Sequence, residues 1–177
     1  MHINVSALYT AKVKEPKLLL PWINHQDSLT DKLKLINRDI ELKLLVQHWI
    51  NPTWWDKYIL NQDEPVFQRE IIMKSRGVAC WYARTVIPQK CHALEPQFFN
   101  RLQQESIRNL IFDNSDVHRV NMTCYPVNQQ CIEFYWVKKY LPAVHGVLWV
   151  RCAEFSFKNQ ESFYLIDLLL PELEGIN

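Results

Sequence analysis

Residues 67–88, FQREIIMKSRGVACWYARTVIP, constrain this chain more than any other stretch. Two apolar runs meet at Arg76-Gly77, and Gly supplies the positive φ that a tight turn needs, so the segment predicts a β-hairpin. A two-residue turn makes paired positions sum to 153. Arg69 then faces Arg84, Ile71 faces Tyr82 and Met73 faces Cys80. Alternation along a strand puts these residues on one sheet face with Val78 and Val86, and so apolar a face looks into the core. Two guanidiniums opposed on such a surface repel, and each is costly to desolvate without a partner. An anion held between them resolves both costs, and a planar carboxylate accepts an arginine fork in two parallel hydrogen bonds. Spacing alone leaves two other readings open. Glu70, Glu154 or Asp167 could form a structural ion pair with either arginine, and a one-residue register slip would put one arginine in water.

A second charge stands in apolar surroundings. Asp167 lies within SFYLIDLLLP, where no other ionisable group but Tyr164 falls between Phe163 and Leu170. A buried carboxylate raises its pKa or finds a partner. Pairing with Arg69, Arg84 or Arg151, or capping a loop, is the structural reading. Hydrogen bonding to a ligand hydroxyl, or moving a proton, is the functional one.

Around these positions the chain reads as α+β. Asp27-Ser28 form a helix start, with Leu29, Leu33 and Ile36 at helical spacing. Residues 38–50 alternate as a half-buried strand, and 52–60 form a short helix opened by Pro52. Residues 95–112 are helical with a break near Ser106. Four strands follow: VHRVNMTCYPV, IEFYWVKKYL, GVLWVRCAEFSF and SFYLIDLLLP, the last two joined by a turn at 158–161. Short strand-to-strand connections favour an antiparallel sheet of about six strands, with helices packed on one face. No internal repeat stands out.

The 177 residues fit one domain, 1–177. A net charge of +1 gives no reason to expect nucleic acid or an anionic membrane as a partner. No apolar run approaches the ~20 residues of a membrane span, the N-terminus lacks a secretory pattern, and Trp54-Trp55 read as a cap on the core. Five cysteines without a CxxC pair fit thiols in a reducing compartment, so the expected location is the cytoplasm. Cys91, His92, Cys124 and Cys131 match no common zinc spacing. With three glycines, there is no phosphate-cradling loop. No metal or cofactor is expected.

Four segments in order carry a family resemblance: Asp27-Ser28-Leu29-Thr30, Arg69-Glu70-Ile71-Ile72, Arg84-Thr85-Val86-Ile87-Pro88, and Leu165-Ile166-Asp167-Leu168-Leu169-Leu170-Pro171. Together, over about residues 20–172, they resemble the bacterial chorismate pyruvate-lyases, which make 4-hydroxybenzoate for ubiquinone synthesis. The resemblance implies an antiparallel sheet with an enclosed ligand cavity under helical flaps. It also implies a cofactor-independent carbon–oxygen lyase that releases pyruvate and is held back by its own product. By the same resemblance Arg69 binds the ring carboxylate, Arg84 shares the cavity, and Asp167 meets the ring hydroxyl. Those three are the expected catalytic residues, and Leu29 and Ile107 the further contacts. A monomer acting on chorismate is the expected form. The family usually has Glu at the position of Asp167, and one methylene less shortens reach by roughly 1.3 Å, enough to call for a strand shift or a bridging water. The stretch between Phe112 and Trp149 also exceeds the family pattern. The competing reading is a domain of the same fold that binds a hydroxybenzoate-like carboxylate without converting it.

Overall fold

In the computed structural model, which describes residues 3–176, six strands form one antiparallel sheet: β1 (Ile40–Ile50), β2 (Val66–Ser75), β3 (Val78–Pro88), β4 (Val117–Val127), β5 (Leu148–Phe157) and β6 (Glu161–Leu169). Their order across the sheet is β1-β2-β3-β6-β5-β4. The β2–β3 hairpin turns at Arg76 (φ 50) and Gly77 (φ 77), both in the left-handed region that a two-residue hairpin turn demands. Next to the turn the register is the expected one, with Ser75 opposite Val78 and Lys74 opposite Ala79. Cys80 is then an extra residue, a β-bulge, and Met73 faces Trp81 instead. From there on every pair is displaced by one, so Arg69 faces Thr85 and Glu70 faces Arg84. Because side chains alternate, this displacement turns Arg84 to the sheet face opposite Arg69. The expected Arg69–Arg84 pair does not form.

Among the described residues, seven α-helices accompany the sheet: α1 (Leu20–Ile23), α2 (Leu29–Ile36), α3 (Trp54–Ile59), α4 (Gln89–Leu94), α5 (Pro96–Asn100), α6 (Ile107–Phe112) and α7 (Ile132–Lys138). Ser28 caps α2 by accepting the Asp31 N–H, and a capping box between Thr53 and Asp56 starts α3. The segment IEFYWVKKYL, expected as a strand, is α7. Its aromatic and β-branched residues favour a strand, but its buried positions Glu133, Phe134 and Val137 recur at helical spacing while Tyr135 and Lys139 point outward. The helices consequently cover both faces of the sheet and not one. Leu19, Trp22, Leu29 and Leu33 pack with Ile71, Met73, Trp81 and Ala83 on the first face, where Phe98, Phe99, Leu110 and Ile111 meet Phe155 and Phe163. On the second face Trp55, Ile59, Phe134 and Val137 meet Tyr82, Val86, Val150, Ile166 and Leu168. No helix of the described residues is long and apolar enough to cross a membrane.

The element order α2–β1–α3–β2–β3 returns as α6–β4–α7–β5–β6, and the two halves join where β3 pairs with β6. Such a duplication brings equivalent positions to one face. Arg69 and Arg151 each occupy the fourth residue of their strand, β2 and β5.

Arg84, on the second face, is held by the chain itself. Its guanidinium meets Asp56 through contacts of 2.9 and 3.0 Å, donates to Gln68 Oε1 at 2.9 Å, and lies 4.8 Å from the Trp136 ring centroid. Both partners are almost fully buried. This is the structural ion pair that spacing left open, with Asp56 as the partner in place of Glu70, Glu154 or Asp167. Removing one member leaves an uncompensated buried charge, at a cost of about 3–5 kcal/mol. Arg84→Met and Asp56→Leu should each lower the urea midpoint strongly, and the double variant should be less destabilised than their sum, as chemical denaturation will show.

Candidate functional site

The first face of the sheet carries a cleft roofed by the start of α2 and by α6. Its floor is formed by inward residues of all six strands: Leu42, Arg69 and Ile71, Trp81 and Ala83, Met122, Arg151 and Ala153, Leu165 and Asp167. Leu29 and Ile107, the two further contacts expected from the sequence, line the roof. Arg84 is absent from the lining. The open space amounts to about 60 Å³. Arg108 of α6 ties the roof together, with Nε 2.8 Å from Asp31 Oδ2 of α2 and the other end of the guanidinium on Asp113 at 2.6 Å.

Among the described residues, two guanidiniums buried in the cleft keep nitrogens without a hydrogen-bond partner. Arg69 is 4% exposed, its Nε has no partner, and its one contact is a long 3.4 Å donation to the Glu105 carbonyl. Burial lowers its pKa to about 10. Arg151 is equally buried. It donates to the His25 carbonyl at 2.8 Å and approaches Met122 Sδ at 3.4 Å, while Nε and a terminal nitrogen stay unpartnered. Burial lowers its pKa as well, and Asp167 partly offsets that shift. Arg119 adds a third positive group at the wall, held by Gln26 Oε1 at 2.7 Å. Asp167 is the cross-strand neighbour of Arg151 on one side and of Ala83 on the other. Burial pushes its pKa up to about 6, against the pull of Arg151.

An apolar slot with two unpartnered guanidiniums and one carboxylic group suits a flat dianion that carries a hydroxyl. Arg69 and Asp167 fall where the sequence put them, on one face. The second arginine is Arg151, which the sequence offered only as a partner for Asp167. Its signal was the one that exposed Asp167, a single charged side chain in an apolar run, Leu148 to Ala153. Of the four cysteines with least exposure, Cys80, Cys91, Cys131 and Cys152, each lies in an apolar cluster. Burial raises the pKa of Cys80 to about 11 and shifts those of the others upward too, which suits packing and not nucleophilic chemistry.

Comparison with known proteins bears on what fills such a slot. A family model described as chorismate lyase matches residues 4–173. A protein of Methylobacillus flagellatus named probable chorismate pyruvate-lyase is 21% identical over 155 residues, covering 86% of each chain. Among solved structures, the effector domain of PhnF from Mycobacterium smegmatis superposes with a TM-score of 0.55 at 14% identity, over 84% of this chain and 91% of that one. A GntR-family transcriptional regulator from Bacillus cereus gives 0.56 at 14% identity, over 76% and 93%. At such identities the structural likeness speaks for the fold.

The raised pKa of Asp167 has a stability consequence of definite sign. An unfolded aspartate titrates near 3.9, so between about pH 4 and pH 6 the folded chain binds more protons than the unfolded one, and Asp167 disfavours folding increasingly as pH rises through that window. A shift from 3.8 to about 6 corresponds to roughly 3 kcal/mol at neutral pH. Asp167→Asn should therefore unfold at a higher temperature than the parent at pH 7, and the gap should narrow toward pH 4 in differential scanning calorimetry.

Proposed function

The chain belongs to the chorismate lyase family, and from that premise we propose that it converts chorismate to 4-hydroxybenzoate and pyruvate. One observation carries the proposal: Arg69 and Arg151 are buried in a single cleft with unpartnered nitrogens, and Asp167 lies beside Arg151. Chorismate is a dianion of matching layout, built on a cyclohexadiene ring. Its ring carboxylate and ring hydroxyl sit at opposite ends, and the enolpyruvyl ether bearing the second carboxylate is attached next to the hydroxyl.

In the proposed pose Arg69 takes the ring carboxylate and Asp167 the hydroxyl. The second carboxylate then falls to Arg151, the neighbour of Asp167, a role that Arg84 cannot fill from the other face. The C–O bond of the ether breaks with its electron pair leaving on the enolpyruvyl oxygen. The ring hydrogen on the hydroxyl-bearing carbon departs as a proton, and the ring becomes aromatic. The methylene end of the side chain gains a hydrogen to give pyruvate, so atoms and charge balance. The chain's residues contribute by fixing a reactive conformer and stabilising charge on the departing oxygen. Arg151 does the latter directly. Leu29, Ile71, Ile107 and Leu165 hold the ring and exclude water. The product keeps the carboxylate and hydroxyl that bind at Arg69 and Asp167, so its release through the Arg108-tied roof limits turnover.

A domain that binds hydroxybenzoates without turnover is the second reading. Asp167 favours it, standing where the family usually has Glu, and the likeness to GntR effector domains gives it a precedent in fold.

Incubation of the purified protein with chorismate, following both products from the first turnover, tests these readings. A stoichiometric burst of 4-hydroxybenzoate and pyruvate is expected, followed by a slower steady rate. Arg69→Ala and Arg151→Ala should each lower kcat/KM by about 10²-fold or more, the value of a lost charge-assisted contact in a dry site. Product-free binding of 4-hydroxybenzoate, lost in Arg69→Ala, would select the second reading. Neither turnover nor binding would overturn both.

A further inference from the structure

On the second face of the sheet, α3 and α7 lie side by side through Trp55 and Trp136, whose ring centroids are 5.0 Å apart. The N-terminal segment runs along them. The Asn4 N–H donates to the Ile59 carbonyl at 2.7 Å, and the Tyr9 hydroxyl donates to Gln130 Oε1 at 2.6 Å. Helical spacing turns one stripe of each helix inward, with Trp55, Asp56 and Ile59 from α3 and Glu133, Phe134 and Val137 from α7. The opposite stripes are Trp54, Lys57 and Tyr58 on α3, and Ile132 and Tyr135 on α7 with Lys139 closing it, all exposed.

Those outward stripes are unusual in composition. Trp54 is 62% exposed and stacks on Tyr58 at 5.0 Å between centroids. A groove lined by Tyr9, Trp54 and Ile132 joins the two stripes. Among the described residues, the tyrosines that are largely exposed are Tyr9, Tyr58 and Tyr135, and all three lie on this face. The acids of the two helices are turned away. Asp56 is buried on Arg84, and Glu133 is buried on the Trp55 indole N–H at 2.9 Å and the Tyr125 hydroxyl at 3.0 Å. The remaining charges on α3, α7 and the residue closing α7 are Lys57, Lys138 and Lys139, all positive.

We propose that this face docks on an anionic lipid surface, with Trp54, Tyr58 and Tyr135 at headgroup level and the lysines against lipid phosphates. Trp and Tyr favour the membrane–water boundary because their apolar rings carry one polar handle. Basic side chains bordering such rings add attraction to anionic lipid that salt weakens. Charge argues against a second copy as the occupant, because a two-fold interface sets a patch against itself and would oppose Lys57 and Lys139 to their own kind. The near-neutral net charge of the whole chain does not forbid the contact, since a membrane reads the local surface. The cleft of Arg69 lies on the other side of the sheet and is left free, so the docking stands apart from the chemistry assigned there.

Flotation of the full chain with vesicles of phosphatidylcholine alone, and of phosphatidylcholine with phosphatidylglycerol, tests the proposal. At low salt the bound fraction should be at least fivefold higher on the anionic vesicles and should fall as salt rises. Trp54→Ser with Tyr58→Ser, and separately Lys57→Glu with Lys139→Glu, should each remove most of that difference while leaving the thermal midpoint unchanged. Equal flotation on both vesicle types, or flotation that both double variants retain, would overturn it. So would a concentration-dependent dimer in sedimentation velocity that the Trp54/Tyr58 variant abolishes, which would give the face to a second copy.

Discussion

A guanidinium taken out of water costs several kcal/mol unless an anion accompanies it. Three arginines of this sheet are each at most 4% exposed, and they meet that cost in two ways. Arg84 finds Asp56, held by its own capping box with Thr53, so that helix start, strand and ion pair lock one another on the second face. Among the described residues, Arg69 and Arg151 hydrogen-bond on the first face to backbone carbonyls and a thioether, with Asp167 beside Arg151. Burial accordingly lowers the pKa of both. The stability lost at these two positions is available to an incoming dianion, which would supply what the chain withholds.

The division between the faces rests on one bulge. Without Cys80 as an extra residue, Arg69 and Arg84 would face each other, as the symmetrical turn at Arg76-Gly77 suggests. With it, one arginine serves the fold and the other the cleft. The repeat of strand–helix–strand–strand supplies the second cleft arginine from the equivalent strand of the other half, across the β3–β6 pairing. The roof is built in the same paired way, since α2 and α6 hold equivalent places and Arg108 ties one to the other through Asp31.

Much of this was legible in the sequence because it is local. The hairpin, the Ser28 cap, the short helix after Pro52, the break near Ser106 and the strand around Asp167 follow from turn chemistry and periodicity within a few residues. The inward setting of Arg69 and Asp167 follows from lone charges in apolar strands. What escaped depends on partners far along the chain. A bulge leaves no local mark, so the register beyond Cys80 and the face of Arg84 could not be read. Residues 132–141 carry strand-favouring side chains, and as a helix they bury Glu133 against Trp55 and Tyr125, partners far from it or on another element. The duplication shows in the order of elements, which appears only once the sheet is assembled, and that hid the correspondence of Arg151 with Arg69.

A crystal structure of the protein with 4-hydroxybenzoate tests the central claim most directly, that the first face binds and the second supports. The account predicts the ligand carboxylate on the Arg69 guanidinium, the hydroxyl directed at Asp167, the Arg151 fork close to the hydroxyl end, and Arg84 still paired with Asp56. A ligand seated on Arg84, or held on the first face without contact to Arg69, would contradict it.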